Sequence, residues 1–439
     1  MDNRDVKRVI VIFKTHLDIG YTALAADILK KYREEFIPAA VDLALTANRD
    51  GKKRFLWTVG SYLIKHYFDH ADDAGCAARL EAAIRRGDVR WHGLACTTHT
   101  ELMDKALFRY GLSISKELDA RFSVKTIAAK MTDVPGHTIA MVPLLAGAGI
   151  EYLHIGVNNG SRAPEVPQLF RWRRGGDEVI VHYAGGYGAA SVLENGVALT
   201  FCHAQDNAGP PTLEWLEAEY RALEARYPNA TIEAGTLDDF ARAVREVRDM
   251  LPVVTQEIGD TWIHGVTTDP LKVSGFSRLL ALTEEWVKSG ALDPESPAYG
   301  AFMEPLLLVA EHTWGMDTKK YLFDFTNWIK ADFRAARQRD RTDYSLFSPR
   351  NAHILAALRD ELRAYRGENE VSSYSTFEAS HAEQRAYIGR AIAALPERLA
   401  DEARQALSFS MPGIPKGESC QAREPVEING WRVTVGEHG

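Results

Sequence analysis

Up to about residue 265 the chain repeats one pattern, a short apolar run followed by an amphipathic stretch. The apolar runs fall at 8–13, 54–58, 88–94, 126–132, 152–155, 179–184, 198–203, 231–234 and 252–257. The amphipathic stretches fall at 22–48, 71–86, 104–121, 137–148, 211–227 and 236–250. Short continuous apolar runs suit strands covered on both faces, and helical crossovers are what parallel neighbours need. Alternation sustained over six or more units predicts an α/β fold, a barrel or distorted barrel rather than a small open sheet. Thr236 followed by Leu237-Asp238-Asp239 reads as a helix N-cap, with acids at the positive end of the dipole.

From about residue 270 the strand-like runs vanish. Helical periodicity takes over at 276–289, 297–312, 317–337, 350–365 and 378–407. These predictions divide the chain into a barrel domain at 1–268, a helical bundle at 269–410, and a linker with a β-hairpin at 411–439. The stretch Met411-Pro412-Gly413-Ile414-Pro415-Lys416-Gly417 has linker composition. Val426 to Val435 reads as a hairpin turning at Asn429-Gly430. Two strands cannot form a core of their own, so the hairpin reads as the start of a truncated β domain, a β-sandwich, or as an appendage docked on the bundle.

The 439 residues are 46% hydrophobic and 26% charged, an ordinary globular balance. A net charge of −8 argues against a nucleic-acid surface. The four cysteines, Cys76, Cys96, Cys202 and Cys420, have neither zinc-knuckle nor disulfide-framework spacing. No run approaches the roughly 20 apolar residues of a membrane helix, and no basic-then-apolar leader precedes the first strand. The expectation is a cytoplasmic protein with reduced thiols and neither nucleic acid nor membrane as partner, with a homo-oligomer left open.

Four places carry polar groups that apolar patterning does not explain. The first is His16-Leu17-Asp18, directly after the run Val9-Ile10-Val11-Ile12-Phe13. Residues two apart share one side of an extended chain, so an imidazole and a carboxylate would stand together at the C-terminal end of a strand. That end is where α/β folds build active sites, and such a pair suits zinc. The second is Asp133-Val134-Pro135-Gly136-His137-Thr138, where another strand ends in an Asp. The third is Asp206-Asn207-Ala208-Gly209-Pro210. The fourth is Glu311-His312-Thr313-Trp314-Gly315, which breaks an apolar helix. Plainer readings exist for each: a solvated loop pair, a helix-capping Asp133, an Asx turn at Asp206, a satisfied core histidine at His312.

Taken together, the four places resemble glycoside hydrolase family 38, the zinc-dependent retaining α-mannosidases, over essentially all 439 residues. The resemblance implies a (β/α)7 barrel, a three-helix bundle and C-terminal β-sandwich domains. His16-Leu17-Asp18 resembles the family's zinc-binding His-x-Asp. Asp133 to Thr138 resembles its Asp-x-Phe-Gly-His-Ser motif, whose Asp is both nucleophile and zinc ligand. Asp206 stands where many members carry a glycine-rich loop bearing the acid/base, and His312 matches the distal zinc histidine. The implied set is Asp133 and Asp206 as catalytic carboxyls, with His16, Asp18, Asp133 and His312 as ligands to Zn2+. The sequence departs from the pattern at Lys14, where a second His is common, at Pro135, which replaces Phe, and after Asp206, where most glycines are gone. The start Lys14-Thr15-His16-Leu17-Asp18-Ile19-Gly20-Tyr21-Thr22 is closest in character to an uncharacterised branch.

The chemistry suits these residue types. Retaining hydrolysis needs a nucleophilic carboxylate and a second carboxyl about 5–5.5 Å away. A nucleophile that also ligates a cation stays ionised, while the acid should sit off the metal. Asp133 and Asp206 divide along those lines, with Asp260 the next candidate acid. Trp57, His99, Glu101, Asp260, Trp262 and Trp314, together with Asp104, are secondary candidates for contacting a carbohydrate. Two other classes fit the same residues. One is a zinc-dependent, deacetylase-like hydrolase of a non-glycosidic bond using metal-bound water. The other is a non-catalytic carbohydrate-binding relative.

Overall fold

A computed structural model describes residues 2–158, 160–259, 269–346, 350, 352–353, 355–356, 371–408, 421 and 423–436. The N-terminal half is a mixed α/β unit with eleven strands among the described residues. They are β1 (Arg8–His16), β2 (Trp57–Gly60), β3 (Val89–His92), β4 (Ala128–Asp133), β5 (Tyr152–Val157), β6 (Leu169–Arg174), β7 (Asp177–Gly185), β8 (Ser191–Val192), β9 (Val197–Asp206), β10 (Thr231–Ala234) and β11 (Val253–Val254). The sequence reading expected one ring. Among the described residues the strands instead form two sheets, in the orders β3-β2-β1-β9-β8, with β10 also on β1, and β11-β6-β7-β5-β4.

β1 lies at the heart of the first sheet, paired in parallel with β2, β9 and β10. Its apolar run follows from that position, since both faces are covered. Val9, Val11 and Phe13 face the helices at Ala25–Lys31 and Ile37–Ala47. Ile10 and Ile12 face inward, where they meet Leu199 from the same sheet and Ala128, Tyr152 and Ile180 from the other. The sheets therefore share an interior. Gly93 N donates to Ala128 O at 2.9 Å, tying the end of β3 to the start of β4.

One pleat further toward the strand C-termini, the interior turns polar. Lys130, His154 and His182 stand in register across β4, β5 and β7. Lys130 Nζ lies 2.9 Å from His154 Nδ1, and Tyr152 Oη lies 2.9 Å from His182 Nδ1. Lys14 is buried on the facing strand and donates to Thr132 Oγ1 at 3.3 Å. Burial pushes the Lys14 ammonium down to about 7, against the pull of Asp206 and Asp18.

After residue 269 the described chain is mainly helical, with its longest helices at Pro270–Lys288, Pro297–Ala310, Tyr374–Ala393 and Glu397–Ala406. Phe276, Phe302, Leu307, Tyr387 and Leu399 pack into the same apolar cluster as the outer face of β1. Ser296 and Ser373 cap two of these helices through their side chains, and Thr236 makes the predicted cap as a capping box with Asp239. Among the described residues, no helix is long and apolar enough to cross a membrane.

Several elements differ from the sequence reading. The helix expected at 22–48 starts at Ala25 and includes a π-helical turn at Tyr32–Phe36. The helix expected at 137–148 starts only at Met141, after the Pro135-Gly136 turn. Residues 317–337 are two helices, Thr318–Tyr321 and Lys330–Arg339. An Asx turn separates them, in which Asp324 Oδ1 accepts from Thr326 N and Asn327 N. The stretch 350–365 lies mostly outside the described residues, as does the linker core. The hairpin forms as β14 (Val426–Ile428) and β15 (Trp431–Val433), after two short paired strands, β12 (Thr342–Asp343) and β13 (Val371–Ser372). Asn429 and Gly430 have φ of 49° and 81°, the left-handed pair of a type I′ turn.

Candidate active site

The C-terminal ends of β1, β4 and β9 converge with the segment after the helix Pro297–Ala310. His16 and His312 present Nε2 atoms 3.2 Å apart. Each of those nitrogens lies 3.0 Å from Asp18 Oδ1. Asp133 Oδ2 lies 3.5 Å from His312 Nε2. Donor atoms of His16, Asp133 and His312 fall within 4.8 Å of one another, and so do those of His16, Asp18 and Asp206. The structure thus brings together five residues singled out in the sequence. Two imidazoles and three carboxylates with mutually facing donor atoms form a set that fits a zinc-like divalent cation.

The local fold explains each position. Between Lys14 and His16 the pairing of β1 with β9 shifts register, so that His16 pairs with Asp206. A bulge of this kind re-aims side chains at a strand end. Asn207, at φ 49°, then closes the turn. Its backbone N donates to His16 O at 2.9 Å. Its side chain accepts from Asp18 N at 3.0 Å and donates to Asp18 O at 2.8 Å and Thr22 Oγ1 at 2.9 Å. Asn tolerates the left-handed region, so it can serve where glycine would be the default.

His312 arrives from the helical half by backbone pairing. His99 N donates to Ala310 O at 2.9 Å, and His312 N donates to Thr97 O at 3.2 Å. Glu311, which sequence reasoning quoted but gave no role, accepts from His312 Nδ1 at 2.7 Å through Oε1. Its Oε2 accepts from Thr313 N at 3.1 Å and from the Thr313 hydroxyl. A carboxylate on Nδ1 fixes the ring and turns Nε2 toward the cluster.

Asp133 ends β4 with φ 81°, a costly conformation for a residue with a Cβ. Its Oδ1 accepts from Tyr187 Oη at 2.6 Å and from Asn158 Nδ2 at 2.8 Å. Burial alone would raise its pKa; His312, His16 and Tyr187 outweigh burial and hold the carboxyl below its ordinary value. Asp18 is likewise depressed, burial being overcome by His16 and His312. Burial opposes a charge on His312, but Glu311, Asp133 and Asp18 raise its pKa. A proton and a divalent cation therefore compete for this cluster. Tyr187 and Asn158 carried no local signal in the sequence, since one sits in a Gly-rich loop and the other just past a strand.

The secondary candidates divide. Trp314 Nε1 lies 3.1 Å from His99 Nε2, and His99 Nε2 lies 3.3 Å from His312 O, so this pair borders the cluster. Glu101 crowds Gly259, where an added Cβ would come within 2.5 Å of its Oε1. Trp57 is 1% exposed and packs near Tyr32 in the core, which rules it out as a sugar platform. Asp104 is spent as an N-cap, accepting from Leu107 N at 2.7 Å. Asp260 and Trp262 lie outside the described residues. A surface groove of about 950 Å³ lined by Arg54, Tyr220 and Glu233 contains none of these residues.

No protein of curated function matches the chain in sequence. Residues 266–439 match a family described as a domain of unknown function, DUF5054. Among solved structures, the chain is similar to an α-mannosidase from Enterococcus faecalis V583, with TM-score 0.56 and 12% identity over 91% of this chain and 42% of that one. It is also similar to a glycosyl hydrolase family 38 protein from Enterococcus faecalis, with TM-score 0.51 and 10% identity over 93% and 40%. The chain spans about two-fifths of the length of each. At such identities the likeness is one of fold.

Proposed function

We propose that this chain is the catalytic part of a zinc-dependent retaining glycoside hydrolase acting on α-linked, mannose-like sugars. The two sheets are then the halves of a distorted (β/α)7 barrel, with residues 269–410 as its helical bundle. One observation carries the reading: donors from four points of the sequence form two triads that share His16, each within 4.8 Å, and one member, Asp133, is held at a strained backbone φ. His16, Asp18, Asp133 and His312 would hold the ion, with Glu311 orienting His312. When bound, zinc supplies Lewis acidity and grips sugar hydroxyls.

Asp133 is the nucleophile. Its carboxylate attacks the anomeric carbon as the aglycone departs, giving a glycosyl ester on Asp133 that water then cleaves. Asp206 is the second carboxyl. It protonates the departing oxygen and then takes a proton from the attacking water. Its closeness to His16 and Asp18 makes metal ligation the competing role. Asp206→Asn separates the two, because a lost ligand lowers zinc content and a lost acid slows only poor leaving groups.

The test is elemental analysis of the purified protein together with a panel of aryl α-glycosides and an activated fluoroglycoside label. The expected result is bound zinc, turnover of an α-mannoside and a label on Asp133. Deacetylation without a glycosyl adduct would favour the deacetylase-like alternative. Sugar binding without turnover would favour a non-catalytic role.

A further inference from the structure

Among the described residues, Oδ1 of Asp133 is held by two neutral donors outside the proposed ligand set. Tyr187 and Asn158 both donate to Oδ1, while Oδ2 faces His312. Asn158 is fixed in turn, since its backbone N donates to Asp133 O at 2.9 Å and its Oδ1 accepts from Gly160 N at 2.8 Å. Tyr187 is locked more tightly. Lys130 Nζ donates to its carbonyl at 2.9 Å. Gly156 lets that carbonyl approach, for a Cβ there would lie 2.6 Å from Tyr187 O. Gly188 lets the next residue press on Phe201, where a Cβ would lie 2.5 Å from the ring. The Tyr187 ring centroid lies 4.9 Å from that of His16. These contacts fix the backbone at and beside Tyr187, whose hydroxyl ends at one oxygen of Asp133.

We infer that Tyr187 and Asn158 are positioning residues that favour release of the sugar from Asp133, with Lys130 holding Tyr187 in place. The inference rests on the nucleophile role proposed for Asp133. Two neutral donors bind an ionised carboxylate more strongly than the carbonyl oxygen of a glycosyl ester. They therefore stabilise the free enzyme relative to the covalent intermediate. In the second step a water oxygen bonds to the anomeric carbon and its proton passes to the general base. The bond from carbon to Asp133 breaks, and its electron pair returns to the carboxylate. The two donors assist this step because the charge reappears beside them. In the first step the same hydrogen bonds restrain the nucleophile, so the two half-reactions respond in opposite senses.

The experiment compares the full chain with its Tyr187→Phe and Asn158→Ala variants, using 2,4-dinitrophenyl α-mannoside as probe. Zinc content and the unfolding midpoint are measured alongside. The expected result for Tyr187→Phe is unchanged zinc and a kcat lowered about 10- to 100-fold, with KM falling by at least as much, so that kcat/KM holds or rises. A burst of dinitrophenolate and a glycosyl adduct on Asp133 in the intact mass should accompany it. Asn158→Ala should show the same split to a smaller degree. A fall in kcat/KM equal to that in kcat, with no burst and no adduct in either variant, overturns the inference while leaving the wild-type reaction intact. A wild-type chain that neither releases dinitrophenolate nor takes a label on Asp133 overturns the glycosidase reading and this inference together.

Discussion

The two sheets bring different kinds of residue to the cluster. The first supplies His16 and Asp206, the last residues of β1 and β9, and Asp18 just past β1, set by backbone devices, namely a register shift and the Asn207 clamp. The second supplies one donor, Asp133, set by a strained φ and two side-chain hydrogen bonds. One side gathers ligands. The other aims a single carboxylate. On the reading proposed above, the first side supplies two metal ligands and the acid, and the second supplies the nucleophile that also ligates the metal, so substitutions on the two sides should affect metal binding and turnover to different degrees.

The largest effect is expected on the first side. His16→Ala removes one of the proposed ligands from the middle of the cluster, so metal and activity should be lost together. Full metal occupancy in the variant, by elemental analysis, would break the comparison at once. Asp133→Asn should abolish turnover and covalent labelling, even on an activated aryl glycoside. Zinc should be retained in part, because His16, Asp18 and His312 remain. Complete zinc loss would show that Asp133 is indispensable to metal binding, and covalent labelling of the wild-type protein would then carry the test of its nucleophile role.

Asp206→Asn sharpens the division. As the acid, it should cost about 10²–10⁴-fold with a poor leaving group and far less with dinitrophenolate. Equal losses across leaving groups would count against that role. Glu311→Gln should weaken zinc affinity by roughly 10–100-fold while barely changing kcat at saturating metal. Competition with a chelator reads the first quantity and titration with zinc the second. The smallest effect belongs to Asn207→Ala, which removes the side-chain clamp on both backbone groups of Asp18. It should cost about 1–3 kcal/mol in urea unfolding. A wild-type denaturation midpoint would show that the turn is held by backbone contacts alone.

What could be read from the sequence was what lies in consecutive residues. β1 with His16 and Asp18 at its end, β4 ending in Asp133, and the helix break at His312 are all local strings whose periodicity changes where chemistry begins. The Asn429-Gly430 turn was legible for the same reason. The helix Ser61–Asp69 was missed, because only nine residues separate β2 from a loop and their apolar pattern continues that of the strand. β6 was missed because Leu169 to Arg174 alternates apolar residues with arginines, and it pairs antiparallel to β7 in a sheet otherwise expected to be parallel. Tyr187, Asn158 and the role of Glu311 were out of reach, since each matters through a partner that only the fold supplies. For Tyr187 that partner lies 54 positions away. Trp57 misled in the opposite sense, since an aromatic residue at a strand start suits a sugar platform and a core equally well.

The contact between His16 and His312 spans 296 positions of the chain. A ribosome that has made everything up to the end of the helix at Ala310 has produced His16, Asp18 and Asp133 but not the imidazole that completes them. The full donor set forms only after long loop closure, since the last donor is delivered by backbone pairing between residues 97–99 and 310–312. On the metal-binding reading proposed above, metal uptake would then be a late event in the life of each molecule, and zinc content would report how many chains have finished assembling rather than how many have been synthesised.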